Sequence, residues 1–533
     1  VFDEAGVTAI SVAGPAPAAT SRPYQRKWLI AIGSSLAGVM ELIQTTSVSV
    51  ALHHIGGSLN ATLDEVTWVP VGFILSAAVI LPMTGWLSSF FGRKRYFLGS
   101  IVIFTAGSVA AANAHSVGML IACMVFQGVG GGALIATAQA ILFDSFPPEE
   151  KTTAAAVFGI GMLVGPALGP TLGGIIVSRY SWEWVYLINV PFGIVSFLMS
   201  WAFVPDTSPD RTPGRVDLLG FLLLAVGIGS LQYVLERGEH HQWFDSGIIQ
   251  ALSLVAALGL AAMVWWELRV RDPVLDLRTL KDRSLAAGSL FVAALGIGMY
   301  TSTYALPIFL QSAIHMDAET VGWLMLPGAI AGAVGMAAVV RLGARTDLRL
   351  FIAVGAAAMA IGMWMHGKFT SEIGQHDVFW PVVLRGFGTG LMFVPLTTLA
   401  MSHLTGRSLS HGAAIYNLAR QLGGSIGLAG MATLLTRYTN VFRGALVEHV
   451  TIHGVATQQR LSMIAPALEG RGFDPVSARA AALQVLDRTV QAQASVLAFE
   501  RVFILIGLVF VVGLPLLLLL RGATGESAGM AAH

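Results

Sequence analysis

Charge is scarce in this sequence: Asp, Glu, Lys and Arg make up 11% of its 533 residues, where a soluble domain carries about 25%. So little charge cannot clothe a water-soluble globule. With 55% hydrophobic side chains and a mean hydropathy of +0.72, the chain is matched to lipid as its solvent. A basic excess is also missing, since 31 Lys+Arg face 30 Asp+Glu for a net charge of +1. That balance excludes a phosphate-backbone binder, and nucleic acid is not an expected partner. One cysteine, Cys123, lies in an apolar stretch. It allows no intrachain disulfide and no cysteine-based metal site, and it reads as a small buried apolar residue.

The usual signatures of chemistry are missing too. No strand-period pattern of any length occurs. Gly128-Val129-Gly130-Gly131-Gly132 and Gly386-Phe387-Gly388-Thr389-Gly390 follow no strand and no Walker lysine accompanies them, so they read as helix-packing glycines. Gly423-Gly424-Ser425-Ile426-Gly427 fits a hydrolase elbow, but it sits mid-helix without a preceding strand. His53-His54 and His240-His241 lack a third ligand at metal spacing. No metal or other cofactor is expected, and an enzyme is the least favoured class.

What the chain has in abundance is apolar runs of about twenty residues, each long enough to cross ~30 Å of hydrocarbon. Spans are expected at 28–53, 66–87, 96–114, 117–143, 153–177, 184–204, 217–235, 247–267, 285–306, 321–342, 350–367, 379–401, 411–436 and 498–520, about fourteen in all. Residues 1–27 read as a disordered cytoplasmic tail with no cleavable signal pattern, and 521–533 as a second cytoplasmic tail. Arg22, Arg26, Lys27, Arg93, Lys94, Arg95, Lys151, Arg269, Arg271, Arg341, Arg345 and Arg407 fall on one side of the spans, and few cations on the other. The positive-inside rule then places both termini in the cytoplasm. A Pro-rich linker at 205–216 closes an N-terminal six-helix bundle at 28–204. An inserted helix pair at 217–267 follows, then C-terminal bundle helices at 268–436, a polar, Ala-rich helical segment outside the membrane at 437–497, and a last helix at 498–520. The fold class is thus all-α and membrane-spanning: two six-helix bundles plus two inserted helices, a pseudo-repeated transporter plan.

Two motifs stand on this frame. Gly161, Gly165, Gly169 and Gly173 recur every four residues, joined by Pro166, Pro170 and Gly174. Small residues at that spacing admit a close neighbour and the prolines bend the helix, which suits a conformational hinge as well as plain packing. Gly85-Trp86-Leu87-Ser88-Ser89-Phe90-Phe91-Gly92-Arg93-Lys94-Arg95 makes a tight turn in which Gly85, Gly92, Arg93 and Lys94 could latch another helix end. Trp86, Trp182, Trp184 and Trp243 read as interfacial anchors, and Trp68 and Trp364 equally as cavity residues.

The glycine helix, followed by Trp182-x-Trp184-x-x-x-Ile188-Asn189-Val190-Pro191-x-Gly193, resembles the antiporter motif of fourteen-helix major facilitator drug/proton antiporters of the EmrB/QacA type. Asn417-x-x-Arg420-Gln421-x-Gly423-Gly424 and Pro273-Val274-Leu275-Asp276-Leu277 are similar to that family as well. The resemblance implies a major facilitator fold, alternating access, and proton-driven export of small hydrophobic or amphiphilic compounds from a bacterial inner membrane. For segment 437–497 it implies a periplasmic adaptor and an outer-membrane channel as partners. The chain departs from the family where Gln44 replaces an Asp, Ser89 an Asp and Met124 an Arg.

The acids of the chain fall in loops, tails or helix ends, except Glu41, which lies about 20 Å along the first helix from Trp28. A carboxyl in low dielectric that can gain and lose a proton is what a proton carrier requires, although a permanently paired structural Glu is the alternative. Spacings of three and four place Gly38, Glu41, Gln44, Thr45 and Ser49 on one stripe. The expected cavity wall is therefore Gly38, Gln44, Thr45 and Ser49 with Gln127, Asn417 and Gln421. Arg385 and Arg420, the only basic residues inside the spans, are candidate counter-ions to Glu41. Proton-coupled efflux is the leading reading. An uncoupled facilitator or exchanger of the same fold, and a membrane sensor or scaffold that moves nothing, are its alternatives.

Overall fold

The computed structural model describes residues 27–147, 150–206, 217–270, 273–343, 345–401, 404, 406–451 and 454–519. Among these the chain is helical throughout, as backbone groups in hydrocarbon must be satisfied within their own segment. The first half contains α1 (Lys27–Ser58), the short α2 (Leu63–Val66), α3 (Trp68–Ile80), α4 (Thr84–Phe91), α5 (Arg93–Ala112), α6 (Val117–Ser145), α7 (Lys151–Arg179), the short α8 (Trp184–Leu187) and α9 (Asn189–Phe203). An inserted hairpin, α10 (Leu218–Arg237) and α11 (Gly247–Glu267), follows. The second half contains α12 (Arg283–Ser312), α13 (Ala318–Leu342), α14 (Leu348–His366), α15 (Gln375–Met401), α16 (Gly406–Glu448), α17 (Val455–Glu469) and α18 (Pro475–Gly513). The two expected tails, apart from Lys27, and most of the 205–216 linker lie outside the described residues.

Twelve described helices are long and apolar enough to cross a membrane, or thirteen when the arms of α7, Lys151–Pro166 and Thr171–Arg179, count as one span bent by 41°. The remaining expected span, 411–436, lies inside α16, where Asn417, Arg420, Gln421 and Ser425 hold hydropathy down. Side chains such as Leu198, Trp201, Leu254, Leu258 and Ile361 stand exposed on the outside of the bundle, where lipid is the natural solvent. Trp364 joins them at 54% exposure, with Lys368 over its ring, so it does not face a cavity. Trp182, expected as an anchor, is instead buried edge-on against Tyr186.

Two expected elements are continuous where hydropathy suggests a break. α16 runs past residue 436 to Glu448, and α18 joins the polar stretch from Pro475 to the last span in one helix. Hydropathy marks where lipid ends, but nothing in the geometry of a helix stops it there. Segment 437–497 is therefore built from the projecting ends of α16 and α18, tied by Arg443 and Asp487 at 2.8 Å, together with α17. The Asp474 carboxylate caps α18 by accepting from the N–H groups of Val476 and Ser477, and the Ser477 hydroxyl together with these N–H groups holds its carboxyl below the usual range.

The halves meet along two lateral seams. In one, α7 packs along α13, with Gly159 against Met336 and Phe393 and Gly322 against Thr171. In the other, α4 meets α16 at the end of the bundle that carries Lys27 and Arg93, here termed the basic end. Beyond that contact α3 and α16 diverge, and α10 fills the gap between them.

Candidate functional site

Among the described residues, two cavities with polar side chains in their walls lie between the halves. The larger, about 270 Å³ and close to the ~300 Å³ at which small-molecule pockets begin, is lined from α1 and α7 by Thr46, Ser49, Met162 and Pro166, and from the second half by Tyr304, Met325 and Arg385. The smaller, about 110 Å³, is lined by Glu41, Thr45, Phe73, Tyr300, Tyr304, Asn417, Arg420, Gln421 and, from the inserted hairpin, Glu236. Tyr304 borders both.

Glu41 sits about 21 Å along α1 from Lys27. Its Oε2 is buried without a hydrogen-bond partner. Arg420 shares the cavity without forming an ion pair with it among the described residues. The Arg420 guanidinium is held elsewhere, donating from Nη1 to the Tyr300 hydroxyl at 2.9 Å and from Nη2 to Asn417 Oδ1 at 2.9 Å. The Asn417 amide in turn donates to Gln139 Oε1 on α6 at 2.5 Å, which carries the network across to the first half. Arg385, the other candidate counter-ion, belongs to the larger cavity, where Nη1 donates to the Ser302 carbonyl at 2.9 Å. It does not meet Glu41.

The expected cavity stripe on α1 divides. Thr45, one turn after Glu41, shares its cavity, as do Asn417 and Gln421, whereas Ser49 lines the larger one. Gln44 turns the other way. At about 100° per residue, a step of three rotates away from a step of four, and the fully buried Gln44 accepts a hydrogen bond from the Asn189 amide on α9. Gly38 faces Ile135 and Phe158, and Gln127 donates to Ser108 Oγ at 2.6 Å inside the α5–α6 contact. Gly38, Gln44 and Gln127 line neither cavity.

The glycines of α7 face α1. A Cβ at Gly161, Gly165 or Gly169 would run into Val39, Leu42 or Thr46, and one at Gly173 into the Ser47 backbone. Ser47 Oγ donates to the Gly169 carbonyl at 2.8 Å. The glycine stripe thus seats α7 on its own half, while Pro166 reaches the larger cavity. Gly174 is half-buried, and the side chain of Pro170 lies outside what is described.

At the basic end, Gly92 adopts φ +83°, a conformation that only glycine takes without strain, and it redirects the chain from α4 into α5. Gly85 lets the His411 backbone approach to the point where a Cβ would stand 3.0 Å from its Cα. Arg93 pairs with Asp144 on α6 and donates to Ser410 Oγ on α16 at 2.9 Å. Lys94 is half-buried beside it. Lys27 pairs with Glu150 at 2.5 Å. Ser89 donates to the Gly85 carbonyl at 2.9 Å, and the carboxylate that meets Arg93 comes from Asp144 on α6.

Sequence reasoning missed Glu236, Gln139 and Asp144. Glu236 lies at the end of an apolar run next to Arg237, which makes it look like a helix-end residue. The inserted hairpin nevertheless carries it to the cavity wall. Tyr233 packs on Trp68 with ring centroids 5.7 Å apart, the Arg237 guanidinium lies 4.3 Å above the same ring, and Trp243 Nε1 donates to Thr433 at 2.8 Å. Among the described residues no group of three His, Cys, Asp or Glu side chains is placed to hold a metal ion.

Comparison with known proteins agrees with this geometry. Residues 34–428 match the family model of the Major Facilitator Superfamily. The fatty acid resistance protein FarB of Neisseria gonorrhoeae is 29% identical over 92% of this chain and 96% of its own length. The multidrug export protein EmrB of Escherichia coli K12 is 31% identical over 84% of this chain and 86% of its own. Among solved structures, the proton:xylose symporter XylE bound to 6-bromo-6-deoxy-D-glucose superposes with a TM-score of 0.56 at 12% identity, covering 95% of this chain and 98% of XylE, a likeness of fold alone. The helical halves, the cavities between them and the matched segment lead to one conclusion: this chain is a multi-pass membrane protein that belongs to the Major Facilitator Superfamily.

Proposed function

We propose that the protein is an inner-membrane efflux transporter that exports small hydrophobic or amphiphilic compounds by alternating access, in antiport with protons carried by Glu41. The observation that carries this reading is the placement of Glu41: a carboxyl on a cavity bounded by both halves, with one buried oxygen unpartnered and no arginine clamped to it. An intramembrane carboxyl of that kind can trade a proton for a ligand, whereas one locked in an ion pair cannot. The names of its relatives, a fatty acid resistance protein and multidrug export proteins, support the direction of transport and the amphiphilic character of the cargo.

In this mechanism Glu41 is protonated when the cavity opens outward and deprotonated when it opens inward, so substrate and proton compete for one space. Arg420, held by Tyr300 and Asn417, is near enough to bias that exchange without ending it. The α7 helix serves as the pivot, and Arg93 with Gly85 closes the basic end, which faces the cytoplasm with both termini. The 437–497 projection then lies in the periplasm, where an adaptor leading to an outer-membrane channel would dock. Two measurements test the core of this reading. Substrate flux in vesicles should follow an imposed pH gradient. Glu41→Gln should abolish substrate-induced proton release from the purified protein, and unchanged release would remove Glu41 from the coupling role.

A second reading, an uncoupled facilitator or exchanger, is favoured by the uncharged partners found for Gln44 and Ser89 and by a buried Met124. Flux that persists unchanged after the gradient is collapsed would select it.

A further inference from the structure

The smaller cavity holds a second carboxylate, and it comes from neither half. Glu236 projects from α10, the helix that plugs the gap where α3 and α16 diverge. Its position is fixed by one neighbour that serves two partners. Gln232 Nε2 donates to Glu236 Oε1 at 3.0 Å and to Ser425 Oγ on α16 at 2.7 Å, so the contact that ties the hairpin to the second half also orients the acid.

The charged and titratable groups around Glu236 are few. Arg237, next in sequence, is stacked on Trp68. Arg420 is engaged by Tyr300 and Asn417. Glu41, Tyr300 and Tyr304 complete the set on the cavity wall. The cavity wall itself carries two carboxyls and one guanidinium, the Arg237 guanidinium lying outside it on Trp68, and Phe73, Tyr300 and Tyr304 add aromatic faces. Carboxylates with aromatic rings are the combination that holds a lipophilic cation, by charge and by the ring quadrupole.

We infer that Glu236 is a specificity residue of the transport cavity: it recognises the positive centre of an amphiphilic organic cation, and the inserted hairpin exists in part to deliver it. This inference rests on the cavity being the transport site proposed above, which must widen from its about 110 Å³ as the halves part to admit such a ligand. A neutral substrate would gain nothing from Glu236, and an anionic one would be repelled by it, so the hairpin sets the charge preference of a site that Glu41 empties and fills.

The test uses probes of one shape and different charge, bound to the purified full chain: tetraphenylphosphonium, triphenylphosphine oxide and tetraphenylborate. Glu236→Gln should weaken the cation about tenfold, leave the neutral probe within twofold, and tighten or leave unchanged the anion. Glu236→Asp, which keeps the charge, should stay within threefold of the parent for the cation. Thermal unfolding checks that both variants fold. Unchanged cation affinity in Glu236→Gln overturns the inference. So does an equal loss for all three probes, or a loss in Glu236→Asp as large as in Glu236→Gln, since either marks a structural role. Failure of the transporter reading looks different: the parent protein would bind tetraphenylphosphonium but move none of it in vesicles under a pH gradient, while the charge preference of the variants remained readable.

Discussion

Arg93 on α5 donates to Ser410 on α16 across 2.9 Å, joining the two halves at the basic end of the bundle. The same guanidinium pairs with Asp144 on α6, which fixes its direction. A hydrogen bond with a charged donor contributes about 1.5–3 kcal/mol, enough to shift a two-state equilibrium tenfold or more. With Cys123 replaced by Ala and Ala413, fully buried, by Cys, Arg93→Ala should raise the rate of labelling by a membrane-impermeant maleimide about tenfold. An unchanged rate would mean that Arg93 does not hold this end shut.

Gly169 and Gly57 should respond differently to the same change. A methyl at Gly169 meets Thr46, whereas nothing lies within 4 Å of one at Gly57. Overpacking costs about 1–3 kcal/mol, so Gly169→Ala should lower the melting temperature in detergent. Gly57→Ala, in the same helix that Gly169 packs against, should leave it unchanged or raise it, because alanine favours helix by about 0.5–1 kcal/mol.

The Asn417 side chain serves three partners, Arg420, Gln139 and the Ala413 carbonyl, whereas the Gln139 contact is one of these. Asn417→Ala strips Arg420 Nη2 of its acceptor and Gln139 Oε1 of its donor, while Gln139→Ala removes only the latter contact. Asn417→Ala should therefore cost more, by about 1 kcal/mol or above, as read from denaturation of the two variants side by side. Equal costs would argue that the Arg420 contact adds nothing to stability.

Gln44 lies three residues after Glu41, yet it is sealed against Asn189 and away from the cavity. Gln44→Glu in a Glu41→Gln background should not restore substrate-induced proton release. Restored release would show that a carboxyl anywhere on this stretch of α1 suffices.

Which parts of this arrangement could be read from residues alone follows from how local each feature is. Glu41 and Thr45 are four apart on one helix, and their shared face follows from helical geometry; the same holds for the Gly161 to Gly173 stripe. Asn417, Arg420 and Gln421 were legible because three polar residues in an apolar run need a reason to be there. Gln44 misled because a stripe three and four residues wide covers more of a helix than one cavity can take. Asp144 and Glu236 were hidden because hydropathy places both at helix ends. Only the packing of α5 on α6, and of α10 between α3 and α16, gives them partners. The separation of Arg385 from Glu41 into different cavities is likewise a property of how halves meet, which no single helix encodes.

One consequence lies in the unbroken length of α16. Its 43 residues reach about 64 Å at 1.5 Å per residue, and the same rod carries Ser410 at one end, Arg420 near the cavity, and Arg443 in the projection. From Arg420 to Glu448 is about 42 Å of stiff lever, so a tilt of about 10° at the cavity swings the tip by roughly 7 Å. Whatever grips that tip would feel each turnover as a mechanical stroke.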